Sequence, residues 1–408
     1  MLDRIGSTTQ KYKMFEGLKV LELASVLAGP SVGQFFAELG AEVIKVENPK
    51  TNGDVTRSWK LSSEQGGDVS AYFSAINSGK KSIGIDIGKE EGKDVVYKLI
   101  EQTDIVLVSY KPGDAEKLGM DYKSLRKHKP DIIYGRITGY GVDDPRVGYD
   151  AIIQAESGFM YMNGEPNGDS LKMPVALVDV LAAHQLKQAL LLAIINKMKT
   201  GEGNYVTVSL IESAISALVN QATNYLVAGE VPQKKGSAHP NIAPYGEAFS
   251  CADDIALILA VGNDKQFTSV CILLDIEELA TDARFESNAQ RVKNRVKLNA
   301  YLSESFKMKN ADEWLTILRQ AKIPCGSILP MNQVFEQKIA KKVVLIGKEE
   351  GVNAQGLRTF VGDMGKMGKI SHISPPPRFG QHTKEVLLNK NIINEPEINE
   401  LKDKGIIS

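Results

Sequence analysis

Leu18-Lys19-Val20-Leu21-Glu22-Leu23, followed by Ser31 to Leu39 and then Ala41-Glu42-Val43-Ile44-Lys45-Val46, sets one strand-like run, one helical run and a second strand in immediate succession. Short β-branched runs bounded by turn residues read as buried strands, and an intervening segment of helical period reads as the crossover. The unit then recurs. Ser82 to Ile87, a helix from about Glu90 to Gln102, and Asp104 to Val108 repeat it, and Asp131 to Thr138 supplies a further strand. Strands alternating with helices at this spacing imply an α/β fold with a doubly wound, mostly parallel sheet and right-handed crossovers. Ligands of such sheets bind at the carboxyl ends of the strands.

Further along, Leu181, Leu186, Leu190, Leu191, Leu192, Ile194 and Ile195 mark a helix from Asp179 to Gly201 so apolar that burial on more than one face is expected. A short strand, Tyr205 to Ser209, leads into a second apolar helix from about Ile211 to Val227. Pro232 to Pro244 reads as a linker into a smaller α+β domain. There Tyr245 to Ser250 and Ile255 to Val261 form an antiparallel pair, with helices near Gln266 to Leu274, Asn288 to Phe306 and Ala311 to Gln320. The expected organisation is a large domain over 1–225, a small domain over 226–325, and a segment 326–408 returning to the large one. Residues 1 to 15 read as a polar arm.

A chain of 408 residues exceeds one ordinary core. Its 49 basic and 50 acidic residues give a net charge of -1, which offers no global field for nucleic acid or an anionic membrane. Cys251, Cys271 and Cys325 lack CxxC spacing and read as reduced core thiols, so neither a metal site nor a disulfide is expected. Met1-Leu2-Asp3-Arg4-Ile5 is charged where a secretory segment is apolar, which points to a cytoplasmic protein.

The turn Ala24 to Pro30 stands where a dinucleotide enzyme carries closely spaced glycines, and those glycines are missing; Glu47, at the end of the second strand, therefore has no ribose to bind. Asn77-Ser78-Gly79-Lys80-Lys81-Ser82 combines a tight turn with two cations, a solvated loop by composition and a phosphate contact by chemistry. Met173-Pro174-Val175-Ala176-Leu177-Val178-Asp179-Val180-Leu181 places one carboxylate inside an apolar run at the start of a helix, where a capping role is the plain alternative.

Together with Tyr149 to Gly158 upstream and Lys199 to Leu210 downstream, that stretch resembles the class III CoA-transferase family, which includes formyl-CoA transferase. Ser109-Tyr110-Lys111-Pro112-Gly113 with Lys117-Leu118-Gly119-Met120, Ile137 to Gly141, Pro324-Cys325-Gly326 and Gly380 to Leu387 extend the resemblance from about Phe15 to Leu387. It implies that Asp179 is the nucleophile. It also implies coenzyme A, as an acyl-CoA co-substrate, held by Ser109, Tyr110, Lys111 and Lys117, with Ile85 and Gly88 walling the adenine and Thr138, Gly139, Tyr140 and Gly141 lining the pantetheine channel. Small carboxylic acids would be the other substrate, and the active unit an interlocked homodimer. Backbone amides near Tyr140 or Gly262 are the candidate oxyanion donors. Two departures, Leu27 in place of a glutamine and the lack of a glycine run near Val261-Gly262-Asn263-Asp264, put formyl and oxalate specificity in doubt. Tyr72, Tyr140 and Tyr149 suggest a polar or short dicarboxylic acid.

Two other readings compete. In the alpha-methylacyl-CoA racemases of the same superfamily a His-Asp pair exchanges a proton, whereas Gly148-Tyr149-Asp150 here offers a phenol, a poor base at neutral pH. A non-catalytic acyl-CoA-binding protein has no need of Asp179.

Overall fold

The computed structural model describes residues 13–64, 67–349, 352–362 and 373–408. Most of the expected arm lies outside these residues. The chain divides into two compact units. One comprises the described residues up to Ser157, Pro174–Leu218 and the described residues from Lys341 onward; the other comprises Gly158–Met173 and Val219–Ala340. Linker composition gives no sign of the excursion at 158–173.

The first unit is built on six parallel strands: β1 (Lys19–Leu23), β2 (Glu42–Glu47), β3 (Lys81–Gly84), β4 (Ile105–Val108), β5 (Ile133–Thr138) and β6 (Asn204–Ser209). Their spatial order is β3-β2-β1-β4-β5-β6, so the winding reverses between β1 and β4. On one face, Leu21, Ile83, Val106 and Tyr134 pack against Val96, Leu99 and Ile100 of the helix Glu90–Ile100 and against Leu387, Ile398 and Ile407 of the carboxyl-terminal segment. The other face carries α1 (Ala28–Glu38) and the long helix Leu177–Thr200. Gly135 of β5 makes the second contact possible, because a Cβ there would stand 3.0 Å from Leu190 and 3.4 Å from Leu186.

That long helix does not have the multi-faced burial expected of it. Val178, Ala182, Ala183, Leu186 and Leu190 are buried, while Leu192, Ile195 and Met198 are exposed, Met198 by 81%. The sheet and α1 cover one side of the helix, and within this chain Leu192, Ile195 and Met198 on its other side meet solvent. The apolar run expected as one helix from Ile211 to Val227 is two, Leu210–Ser216 and Val219–Ala228, because the backbone at Val219 turns to φ 42° where the chain passes into the second unit.

The second unit holds the antiparallel sheet of β7 (Tyr245–Ser250), β8 (Ala256–Ala260) and β9 (Cys325–Ser327), with a core of Phe249, Leu257, Leu259, Phe267, Phe306 and Trp314. Its expected helix from Asn288 to Phe306 breaks at Asn294, whose amide donates to Arg284 O and Gln290 O at 3.0 Å each. Cys251 and Cys271 are buried free thiols and Cys325 is half-buried.

Candidate active site

Reversal of the winding leaves a crevice at the carboxyl ends of the strands, where no crossover helix fills the gap. In the first unit it is a cleft of about 1040 Å³ lined by Leu23 to Ser25 at the end of β1, Val46 to Asn48 and Lys50 to Val55 at and beyond the end of β2, Ile85 to Gly88 after β3, and Tyr110 and Leu118 beyond β4. Its floor is charged and dry. Lys45 Nζ reaches Glu22 Oε1 at 3.0 Å, Ala24 O at 2.7 Å and Asp54 Oδ2 at 3.0 Å. Burial pulls that ammonium down, but Glu22, Asp54 and Glu47 together overcome it and hold Lys45 protonated. Asp54 also accepts the Val26 N–H at 3.2 Å, which pins the first turn with Val26 at φ 70°, a costly conformation for a β-branched residue. At the mouth, Lys50 pairs with Asp86 at 2.8 Å and leaves its side chain 61% exposed.

Asp179 sits in the first turn of the long helix and is only 8% exposed. The cap residue, Ala176, has no side-chain acceptor. The Val178 N–H is received instead by Asp150 Oδ1 at 2.8 Å, and Asp150 Oδ2 accepts from Gln154 Nε2 at 2.7 Å, both from the helix Asp150–Glu156. Burial, and then the charge of Asp150, push the Asp179 carboxyl up to about 7. Tyr72 faces the same corner: burial raises its phenol, and Asp179, Asp150 and Asp54 add to the effect. Asp179 is not among the residues lining the cleft; Tyr72 feels the charge of both acids and of Asp54, which does line it.

Ile85, Gly88 and Tyr110 line the cleft, and burial raises the Tyr110 phenol. Ser109 joins its edge by accepting the Ser25 N–H at 3.1 Å. Lys111 is exposed, and Lys117, with 78% of its side chain in solvent, reaches Asp114 at 3.4 Å. Thr138 closes β5 with its Oγ1 accepting the Gly141 N–H at 3.0 Å. Gly139 packs so closely on Gly148 that an added Cβ would lie 2.7 Å from its Cα, and the Tyr140 ring carries the Arg146 guanidinium at 3.7 Å. None of Thr138 to Gly141 lines the cleft.

The cations of the Asn77 to Ser82 turn are both engaged by carboxylates. Lys80 is buried with Glu22 at 2.8 Å and is held by Pro30 O and Asn77 Oδ1, both at 2.8 Å, and Lys81 bridges Glu385 and Glu42. Glu47 is likewise occupied, by a two-pronged Arg57 at 2.6 and 2.8 Å and by the Ser82 hydroxyl. Sequence reasoning missed the Asn48 to Asp54 loop with Lys50, and it weighed Asp150 only as half of a racemase motif. Among the described residues no group of three His, Cys, Asp or Glu is placed to hold a metal ion.

A doubly wound α/β unit with a switch-point cleft, joined in sequence to a smaller α+β unit and carrying a buried helix-terminal carboxylate, defines the class. The chain belongs to CoA-transferase family III, whose model matches residues 15–383. It is 38% identical over 381 residues to a succinate–glutarate CoA-transferase of Agrobacterium fabrum, covering 91% of this chain and 94% of that one. It is 34% identical over 415 residues to the human succinyl-CoA:glutarate CoA-transferase, covering 99% and 92%. Among solved structures, a CaiB/BaiF family protein from Brucella suis matches with a TM-score of 0.79 and 38% identity over 92% of this chain and 98% of that one.

Proposed function

We propose that this CoA-transferase moves CoA between short dicarboxylic acids through a covalent intermediate on Asp179. The observation that carries the reaction is the Asp179 carboxylate itself: dry, at a helix amino terminus, and poised to ionise near neutral pH. Its Oδ attacks the thioester carbonyl and expels CoA thiolate, giving a mixed anhydride; the thiolate then attacks the Asp179 carbonyl and releases the donor acid. The acceptor acid reverses both steps. The helix terminus stabilises the attacking anion, and the apolar neighbours Val178 and Val180 limit its hydration. A base for α-proton exchange is not provided by Tyr149, which is 57% exposed, so the racemase reading has no support from this corner. The cleft beside Ile85, Gly88 and Tyr110 is our assignment for the nucleotide end of CoA, with Lys50 the exposed cation at its mouth. The substrate class rests on the relatives named for succinate and glutarate, and it agrees with the polar phenol of Tyr72 beside Asp179.

The test is incubation with succinyl-CoA and a panel of carboxylic acids. Glutarate or a similar dicarboxylate is expected to accept CoA, with a CoA adduct mapped to Asp179 by mass spectrometry, and Asp179→Ala is expected to lose at least about a thousandfold in kcat. Turnover retained in Asp179→Ala, or a preference for long-chain acids, would overturn the respective part.

A further inference from the structure

We propose that Asp150 is a positioning residue for this chemistry, an acid from a neighbouring helix that caps the nucleophile's helix and biases Asp179 toward its uncharged, covalent states. The proposal rests on Asp179 being the nucleophile. The helix Leu177–Thr200 begins at an alanine that has no oxygen to offer, although a Ser, Thr or Asn at 176 would be the local solution. The acceptor comes instead from 28 residues upstream, Asp150 Oδ1 to the Val178 N–H at 2.8 Å. Gln154, itself 1% exposed, fastens the other oxygen at 2.7 Å, so the carboxylate is tied at both ends. A hydroxyl would have met the capping need. A carboxylate adds a fixed negative charge beside the residue that must react. The groups that interact with Asp179 are Asp150 from the helix Asp150–Glu156 and Tyr72 from the helix Ala71–Ser74, and Asp54 acts on Tyr72 in turn.

Charge bookkeeping through the reaction gives that placement a purpose. Asp179 starts as a carboxylate. When its Oδ bonds to the acyl carbon, the C–S bond breaks and the charge leaves on thiolate sulfur; when sulfur bonds to the Asp179 γ-carbon, the C–O bond breaks and the charge departs with the released acid. The aspartyl-CoA thioester left behind is neutral. Asp150 therefore repels the resting carboxylate and leaves the thioester untouched, which shifts the internal equilibrium toward the covalent state. Its hydrogen bond to Val178 meanwhile keeps the reacting turn in place.

Asp150→Asn retains an acceptor for Val178 and removes the charge. The acid limb of its kcat/KM profile is expected to move down from near pH 7 by the part the Asp150 charge contributes, burial holding it above the ordinary carboxylate range, its fraction of trapped Asp179–CoA adduct with succinyl-CoA and succinate to fall about fivefold, and its succinyl-CoA KM to stay within about twofold. Asp150→Glu, which keeps the charge on a longer arm, is expected to lower kcat but leave the limb where it is. An Asp150→Asn enzyme with wild-type limb and adduct fraction would overturn the proposal, as would an Asp150→Glu limb displaced as far as that of Asp150→Asn, the mark of loosened packing alone. Asp150→Gln replaces Asp150→Asn if the latter fails to fold, with the same expectations. If the wild type forms no adduct and Asp179→Ala still turns over, the nucleophile assignment falls and this proposal with it; an adduct in the wild type that is indifferent to Asp150 removes this proposal alone.

Discussion

Asp179 is held in a place that costs the fold free energy. Its pKa in the native state is raised to about 7, against about 3.9 in an unfolded chain, so the native state binds the proton more tightly. Stability is then fully present below the unfolded value, is lost as pH rises through the interval between the two, and stays lost above about 7. Asp179→Asn should therefore be more stable to unfolding than the wild type at pH 8, by on the order of a few kcal/mol, and melt at a higher temperature there, with the difference vanishing near pH 4. Thermal unfolding across pH measures it, and a wild type equally stable to the variant at pH 8 would count against a desolvated carboxylate. At this scale the sequence displayed the acid, its apolar neighbours and its helix start. The carboxylate that shifts its ionisation was out of reach, because Asp150 is 28 residues away and its side-chain direction follows from how two helices pack.

At the scale of elements, β1, β2 and the entry to β3 are joined by a buried ionic cluster as well as by their ladders. Glu22 takes both Lys45 and Lys80, each at least 99% buried at the side chain. Removing one partner of such a set leaves ions in a dry interior, which typically costs about 3–5 kcal/mol. Glu22→Gln is accordingly expected to lose stability of about that size in urea unfolding, and it should also loosen the Ala24 to Leu27 turn, since Lys45 donates to Ala24 O. A loss under about 1 kcal/mol would mean the cluster is hydrated or reorganises. Periodicity located all three strands. It misassigned Lys80, whose sequence neighbours resemble a solvated loop while its partner, Glu22, lies 58 residues earlier.

For the whole molecule, the exposed Leu192, Ile195 and Met198 of the long helix, and Leu226 and Val227 of the helix Val219–Ala228, are apolar surface of the kind that association covers. We therefore expect the protein to sediment as a homodimer, and Leu192→Glu with Met198→Glu to yield monomer with reduced CoA transfer; a wild type that sediments as monomer would count against it. The sequence by itself determined the α/β class, the parallel winding, the candidate nucleophile and the resemblance to CoA-transferases, because hydrophobic period and short motifs are properties of neighbouring residues. The cleft lining, the burial of Lys80, the break at Val219 and the hold of Asp150 on the Asp179 helix were decided by the tertiary structure. Each depends on bringing together groups tens to hundreds of residues apart, as when Gly380, His382 and Thr383 bond to Ser82 and Gly84, and burial and ion pairing act on distances in space.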